Sequence, residues 1–337
     1  MPLNVSLLDV VQFDGFDGGQ ELLDECMESC PTVSGYDVNY QRQVPIAVEE
    51  TSDDVIKSML RTGLPKVQPF RIANKGVKPG KGKYEKRIVE LATCTSTWFC
   101  DRSIIDKNRS RGVRYMEEEG KGTIRANILA LENQFFYGRR TDHGGVDIGF
   151  QGLHDFCDPE RVHDAGGTGT DLASIWFVFW NTHNGVSWVY GKNGSITLSE
   201  PKLETAYDDD KGVFEAYRQF MEFYPAVKMM HKDAVYRIAN IKTGTANAGA
   251  IDRTVLTDVD MRRALMSFHS SMRPKAIYMP RQCGLLLAAS RNTVSIANSK
   301  QAGVLIGQDP PPPDNFDGIP VVYTDQLLTN EPQYIKA

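Results

Sequence analysis

Between Ser103 and Tyr137 the apolar residues Val113, Met116, Ile124, Ile128, Leu131 and Phe135 recur mostly at three- and four-residue steps. That spacing lines one stripe of a long amphipathic α-helix. Such a stripe must be buried against a second layer, so it constrains the architecture of the whole chain. Gly120 and Gly122 weaken the middle of the helix, each by about 1 kcal/mol relative to alanine, and the first half is expected to be looser or bent. Glu117, Glu118 and Glu119 are adjacent and do not converge on a metal; they read as a solvated face. Gly138 stands where a helix C-cap belongs, with Arg139 and Arg140 against the negative end of the helix dipole. His143 follows in a glycine-rich loop, with no serine or cysteine nucleophile close in sequence. The glycine break reads as the end of a helix, not as a catalytic loop.

The rest of the chain supplies the second layer. "ASIWFVFWN" and "GVSWVYG" are two aromatic strands joined by "THNG", and their aromatic density suits a sheet packed on the long helix. "YDDDKGVFEAYRQFMEFYPAVKMMHKDAVYRIANI" gives an acidic turn, a Phe/Tyr-rich run and a strand ending at Ile241. Asp208, Asp209 and Asp210 lack calcium-loop spacing and read as a solvent-facing turn. "KTGTANAGAIDRT" is a flexible connector and the main expected boundary. Beyond it come a helix capped by Thr257 or Asp258, the short buried strand "KAIYMP", a second helix "RQCGLLLAASR", a proline-rich loop, and the strand of "GIPVVYTDQLLTNE". The chain is therefore of the α+β class.

The first hundred residues are different in kind. "GGQELLDECMESC" has helical spacing, "DDVIKSMLRTG" is expected to form a short helix closed by Gly63, and the remainder of 1–60 reads as an extended arm that needs neighbours to order it. "PFRIANKGVKPGKGKYEKRIVELATCTSTWFC" has hairpin grammar with a long glycine-rich turn. Between residues 75 and 87 the basic Lys75, Lys78, Lys81, Lys83, Lys86 and Arg87 face Glu85 alone. "GVKPGKGK" fails the spacing of a phosphate loop, and "GGTGT" at 166–170 precedes a strand, so it lacks the helix N-terminus that binds anions.

Composition narrows the functional classes. A net charge of −5 argues against a general nucleic-acid binder. The six cysteines lack zinc-knuckle spacing and read as thiols in a reducing compartment. No apolar run approaches a bilayer span, and the acidic N-terminus makes a poor signal peptide, so the chain is expected to be made and kept in the cytoplasm.

The order long helix, "LENQFFYG", "FQGL", "SIWFVFW…GVSWVYG", "YRIANI", "PKAIYMPRQ", "FDGIPVVYTDQLLTNE" resembles the major capsid proteins of short-tailed double-stranded DNA bacteriophages, in particular the epsilon15-like group with the Hong Kong 97-type fold. The resemblance runs from about residue 55 to the C-terminus. It implies an N-terminal arm at 1–60 and an E-loop at 61–101 that lies on a neighbouring subunit. A peripheral domain at 102–245 would carry the spine helix 103–138, with the sheet at 171–243 packed on it. An axial domain at 246–320 and a C-terminal strand and tail at 321–337 would complete the chain. In the commonest arrangement of that fold a "GIPVV"-like axial strand precedes the long peripheral strands. Here it follows them, which suggests a rewired or permuted connection. The resemblance further implies a structural, non-enzymatic shell subunit with no cofactor or metal. It would form hexamers and pentamers in a virion assembled in the host cytoplasm. Its partners would be its own copies, a portal, decoration or scaffolding proteins, and enclosed double-stranded DNA held without sequence-specific contacts; no membrane is involved.

A glycine-tipped hairpin and an under-packed arm suit such a shell, because each extends over a neighbour. The six basic residues Lys75, Lys78, Lys81, Lys83, Lys86 and Arg87 are the expected inter-subunit contacts, with the runs Glu49–Asp54 or Asp208–Asp210 next door as acidic partners. The weak helix middle fits a shell whose maturation bends it. Two other readings compete. One is a nanocompartment shell of the encapsulin kind. The other is a metal-dependent enzyme using His143, His154, Asp155, His163, Asp164 and His183, although these lack the H-E-x-x-H pairing.

Overall fold

The computed structural model describes residues 30–35, 43–67, 70–107, 109–191, 197–208, 211–244, 254–298 and 311–335. The expected helix in "GGQELLDECMESC", most of the arm, Asp209 and Asp210, most of the connector and the start of the proline-rich loop lie outside the described residues.

The chain begins with one helical turn, α1 (Pro31–Ser34), and the strand β1 (Val48–Glu50). Strands β2 (Val55–Gly63), β3 (Lys83–Glu90) and β4 (Cys94–Asp101) lead into helices α2 (Arg102–Lys107) and α3 (Arg109–Tyr137). After α4 (Leu153–Phe156) come β5 (Val162–Asp164), β6 (Leu172–Val178) and β7 (Val186–Tyr190). Then follow β8 (Thr197–Leu198), β9 (Lys202–Tyr207), β10 (Val213–Phe223), β11 (Pro225–Met229) and β12 (Val235–Lys242). The C-terminal part holds α5 (Asp258–Met266), β13 (Ala276–Met279), α6 (Arg281–Asn298), β14 (Asn315–Phe316) and β15 (Ile319–Tyr323).

Helix α3 is the centre of the fold, and its last turn is buried on every side, since Phe135, Phe136 and Tyr137 are all inaccessible. Phe135 stacks between Trp180 and Trp188 at 5.4 and 5.1 Å, while Phe136 meets Tyr278 edge-on at 5.6 Å. These contacts join α3 to two different sheets. Gly138 ends the helix in the left-handed conformation, with φ of 59°, and its N–H donates to the Gln134 carbonyl at 2.8 Å. The expected stripe is present: Leu131 and Phe135 are buried, and Ile124 and Ile128 half-buried. The expected single helix over 103–138 is instead two, α2 and α3. From Arg109 onward α3 runs on as one helix through Gly120 and Gly122.

Among the described residues the strands form four sheets, ordered β1-β7-β11, β4-β10-β8 with β9 also on β10, β14-β15-β13-β6-β12-β5, and the pair β2-β3. Strand β6 is buried along its whole length, as an inner strand covered on both faces must be. One face of its sheet packs on α5 and α6 through Ile277, Met261, Ala264, Leu286 and Leu287. Thr257 caps α5, and Asp260 accepts from both the Thr257 N–H and its hydroxyl.

Two further expectations are corrected. "DDVIKSMLRTG" is not a helix but strand β2, paired antiparallel with β3 from Val55↔Glu90 to Gly63↔Lys83. Val55, Ile56 and Thr62 are β-branched, and cross-strand pairing outweighs local helix propensity. The hairpin therefore spans 55–90, while β4 leaves it to pair with β10. The aromatic strands β6 and β7 do not share a sheet, because the chain crosses from one sheet to the other between Val178 and Val186. The six-stranded sheet joins β5, β6 and β12 to β13, β14 and β15, so it takes strands from both sides of the connector at 242–254.

Candidate assembly surface

The hairpin β2–β3 is anchored at its root and bare beyond it. Val89 is buried with Val189 and Ala226, and Arg87 donates to the Met229 carbonyl at 2.9 Å. The half-buried Arg87 is thereby held by its own chain and differs from the five lysines expected beside it. Lys75, Lys78, Lys81, Lys83 and Lys86 are all exposed. At the tip the two arms approach so closely that a Cβ on Gly80 would lie 2.2 Å from the Lys66 carbonyl oxygen, which explains the glycine. Lys66, Lys78, Lys81 and Lys83 line a basic cup of about 720 Å3 there.

Apolar groups lie among these charges. Met59, Leu64, Val67, Phe70, Ile72, Val77, Tyr84 and Ile88 are exposed, Phe70 at 93%. They make up eight of the nineteen large apolar side chains exposed among the described residues. On the outer face Met59 pairs with Lys86, Ile88 with Lys57, and Tyr84 with Arg61, whose guanidinium lies 5.2 Å from the ring centroid. The hairpin, residues 55–90, carries ten basic and two acidic residues, a net +8; the remaining residues therefore carry −13 of the chain's −5.

Part of that negative charge gathers at the hairpin root. Glu50, Asp53 and Asp54 are exposed there, whereas Glu49 is ion-paired with the buried Lys228. Tyr224 lies beside this step and is 40% exposed. A hydrogen bond to Glu222, burial, and the charges of Glu222 and Asp54 all raise its phenol above the usual range. Of the other expected acidic run, Asp208 is exposed and accepts the Gly212 N–H of its own turn, while Asp209 and Asp210 lie outside the described residues.

The histidine and aspartate set of the enzyme reading is dispersed. His143 is on a single 3-10 turn, His154 on α4, His163 on β5 beside Asp260, and His183 in the turn before β7. Asp155 accepts the N–H groups of Arg139 and Gly152, and Asp164 those of Gly166 and the Asn240 side chain. Among the described residues no three His, Cys, Asp or Glu side chains are placed to hold a metal ion. No helix among them is long and apolar enough to cross a membrane.

Two exposed apolar sites escaped sequence reasoning. Tyr207 and Val213 face each other across the β9–β10 turn, each 68% exposed. Val146 and Ile148 rim a groove of about 310 Å3 between α3 and β4. The first left a signal, an apolar residue on either side of an acidic turn; the second had none, because isolated apolar residues in loops are common.

The family model for major capsid protein GP7 matches residues 46–334. The chain belongs to that family. It is a phage major capsid protein, and its α+β architecture is that of known phage heads. The capsid protein in the structure of bacteriophage epsilon15 superposes with a TM-score of 0.64 at 19% identity, covering 96% of this chain and 97% of that one. The bacteriophage JBD30 capsid gives 0.51 at 11% identity over 94% and 97%. The JBD30 capsid decorated with minor capsid protein trimers gives 0.51 at 12% identity over 96% and 99%. No curated protein sequence matches the chain.

Proposed function

We propose that this major capsid protein assembles by laying its 55–90 hairpin on a second copy, forming the hexamers and pentamers of an icosahedral head. The supporting observation is the charge and apolar asymmetry of the subunit: a hairpin of net +8 with eight exposed apolar side chains on a body of −13. A two-stranded hairpin is marginal in water, and exposed apolar clusters of this kind mark interaction surfaces. A copy of the same chain offers the opposite charge. Of the two acidic runs the root patch is taken as the partner, because Glu50, Asp53 and Asp54 stand exposed together beside Tyr224, whereas Asp208 already accepts a hydrogen bond within its own turn. A tip-to-root contact uses two different patches, so it is head-to-tail, the kind of contact that makes a ring when the rotation between copies closes.

In this reading the residues before the hairpin, 1–54, act as the arm, the hairpin as the E-loop, and α3 as the spine. The sheet around β6 and β13, with α5 and α6, forms the axial body. The head would enclose double-stranded DNA without gripping it, in keeping with the acidic balance. It would be built in the host cytoplasm, with a portal and decoration or scaffolding proteins as further partners.

Electron microscopy and sedimentation of the expressed full chain test the proposal at low and high salt. The expected result is closed particles or capsomers for the natural sequence and smaller species when Lys78, Lys81 and Lys83 become Glu. Restoration by Asp53→Lys with Asp54→Lys would identify the root patch. Normal shells from the triple variant at every salt concentration would refute the hairpin contact.

A further inference from the structure

Glu132 lies near the end of α3 and is completely buried. Its Oε2 accepts the Thr32 N–H at 2.9 Å and the Thr32 hydroxyl at 2.6 Å, and its Oε1 accepts the Thr324 hydroxyl. Trp188 Nε1 donates to the Thr32 carbonyl at 2.8 Å, so Thr32 is gripped from both sides. Three segments remote in sequence thus meet at one carboxyl group: α1, α3 and the stretch after β15. The groups that face it are Thr32 from α1, Thr324 from beyond β15, and the Tyr278 phenol from β13. Burial keeps that phenol neutral. Among the described residues no Lys, Arg or His pairs with Glu132.

A carboxyl group in such surroundings favours its neutral form, because desolvation penalises the charge and no cation offsets it. Burial lifts its pKa to about 7 against the hydrogen bonds from Thr32, Thr324 and Val33.

We propose that Glu132 is a proton-operated clasp on the N-terminal segment of the chain. Neutral, the carboxyl group keeps Oε2 as acceptor for Thr32 and donates its own proton to Thr324 Oγ1, closing all three segments together. Ionised, it is a charge in an apolar shell, and the state in which residues 30–35 lift away and admit water gains weight. Residues before Cys30 are tethered through this turn. The clasp therefore decides whether their anchor is fixed on its own subunit or available to a second copy. The clasp does not depend on the shell reading; its use in assembly does.

Hydrogen exchange of the full chain, read by mass spectrometry at about pH 6 and about pH 8 and corrected for intrinsic rates, tests it. Ionisation rises about tenfold over that interval, and exchange in 30–35 is expected to follow it. Glu132→Gln keeps an acceptor and a donor without titrating, and should exchange slowly at both values. Equal corrected rates in the natural chain, or the same rise in Glu132→Gln, would overturn the clasp. If that variant misfolds, infrared titration of the natural chain with labelled glutamate replaces it. A protonated carboxyl band that disappears between about pH 6 and 8 is expected, and its absence overturns the proposal. Neither readout requires shells, so a chain that fails to assemble still tests the clasp.

Discussion

Arg237 and Glu331 form an ion pair at 2.9 Å with their side chains only 2% and 1% exposed. The pair is the centre of a dry network. Ser174 accepts from Arg237 Nε at 2.9 Å and donates to Glu331, while Tyr137 donates to Glu331 Oε1 at 2.8 Å and accepts the Leu328 N–H at 2.7 Å. The Arg237 guanidinium also lies 5.1 Å from the Trp176 ring centroid. One cluster thereby ties the end of α3, the six-stranded sheet and the C-terminal tail together.

Breaking that pair on one side should be far worse than removing it. Glu331→Ala leaves a buried, uncompensated guanidinium and is expected to cost about 3–5 kcal/mol. Arg237→Met combined with Glu331→Leu replaces both charges with apolar groups and should recover most of the loss. Urea unfolding midpoints of the two variants decide the matter; equal destabilisation would show that packing, not charge, sets the cost.

Gly138 and Gly144 both have positive φ, 59° and 81°, but their surroundings differ. A Cβ at 138 would lie 1.9 Å from Asp155 Oδ2 and 2.4 Å from Gly152 N, whereas at 144 its nearest neighbour would be 3.8 Å away. Gly144→Ala should therefore cost only the left-handed strain, about 1 kcal/mol. Gly138→Ala must also displace the Asp155 carboxylate that accepts the Arg139 and Gly152 N–H groups, so a further loss of about 1–3 kcal/mol is expected. A smaller fall in melting temperature for Gly138→Ala than for Gly144→Ala would contradict this account of the helix stop.

What could be read from the sequence was local. The stripe of α3, its stop at Gly138 and the Thr257 cap each depend on neighbouring residues, and each is where its residues placed it. What depended on distant partners was misread. Val55–Gly63 becomes a strand only because β3 lies opposite, and "ASIWFVFW" and "GVSWVYG" look alike although Trp180 turns the chain between sheets. At the candidate surface the lysines were visible as a charge run. Their separation from Arg87 was not, because it rests on the carbonyl of Met229, 142 positions away. The Glu132 junction was likewise hidden, since its partners are 100 and 192 positions distant.

Glu132 also fixes the sign of one pH effect on folding. Its folded pKa of about 7 lies above the 4.5 of an unburied glutamate, so between those values the folded chain holds a proton that the unfolded chain has released. This contribution to stability is complete below about pH 4.5 and is lost as pH rises through about 7, by up to about 1.4 kcal/mol per unit. Unfolding midpoints measured across that range should fall for the natural chain relative to Glu132→Gln. A constant difference between the two would mean that the carboxyl group is ionised throughout.

Gly122 is the sharper of the two helix glycines for testing movement of α3. It is exposed, and a Cβ there would meet nothing within 4 Å. Gly122→Ala should consequently stabilise the subunit by about 1 kcal/mol through helix propensity and the unfolded-state entropy, with no new contact. If shell maturation bends α3 at this point, the same substitution raises the cost of the bent state by a similar amount. Expansion should then slow by about fivefold, given that about 1.4 kcal/mol is a factor of ten in rate. Time-resolved scattering of purified shells, read beside the melting temperature of the subunit, separates the two effects. A subunit that melts higher while its shell expands at the natural rate would move the joint away from Gly122, to the break between α2 and α3.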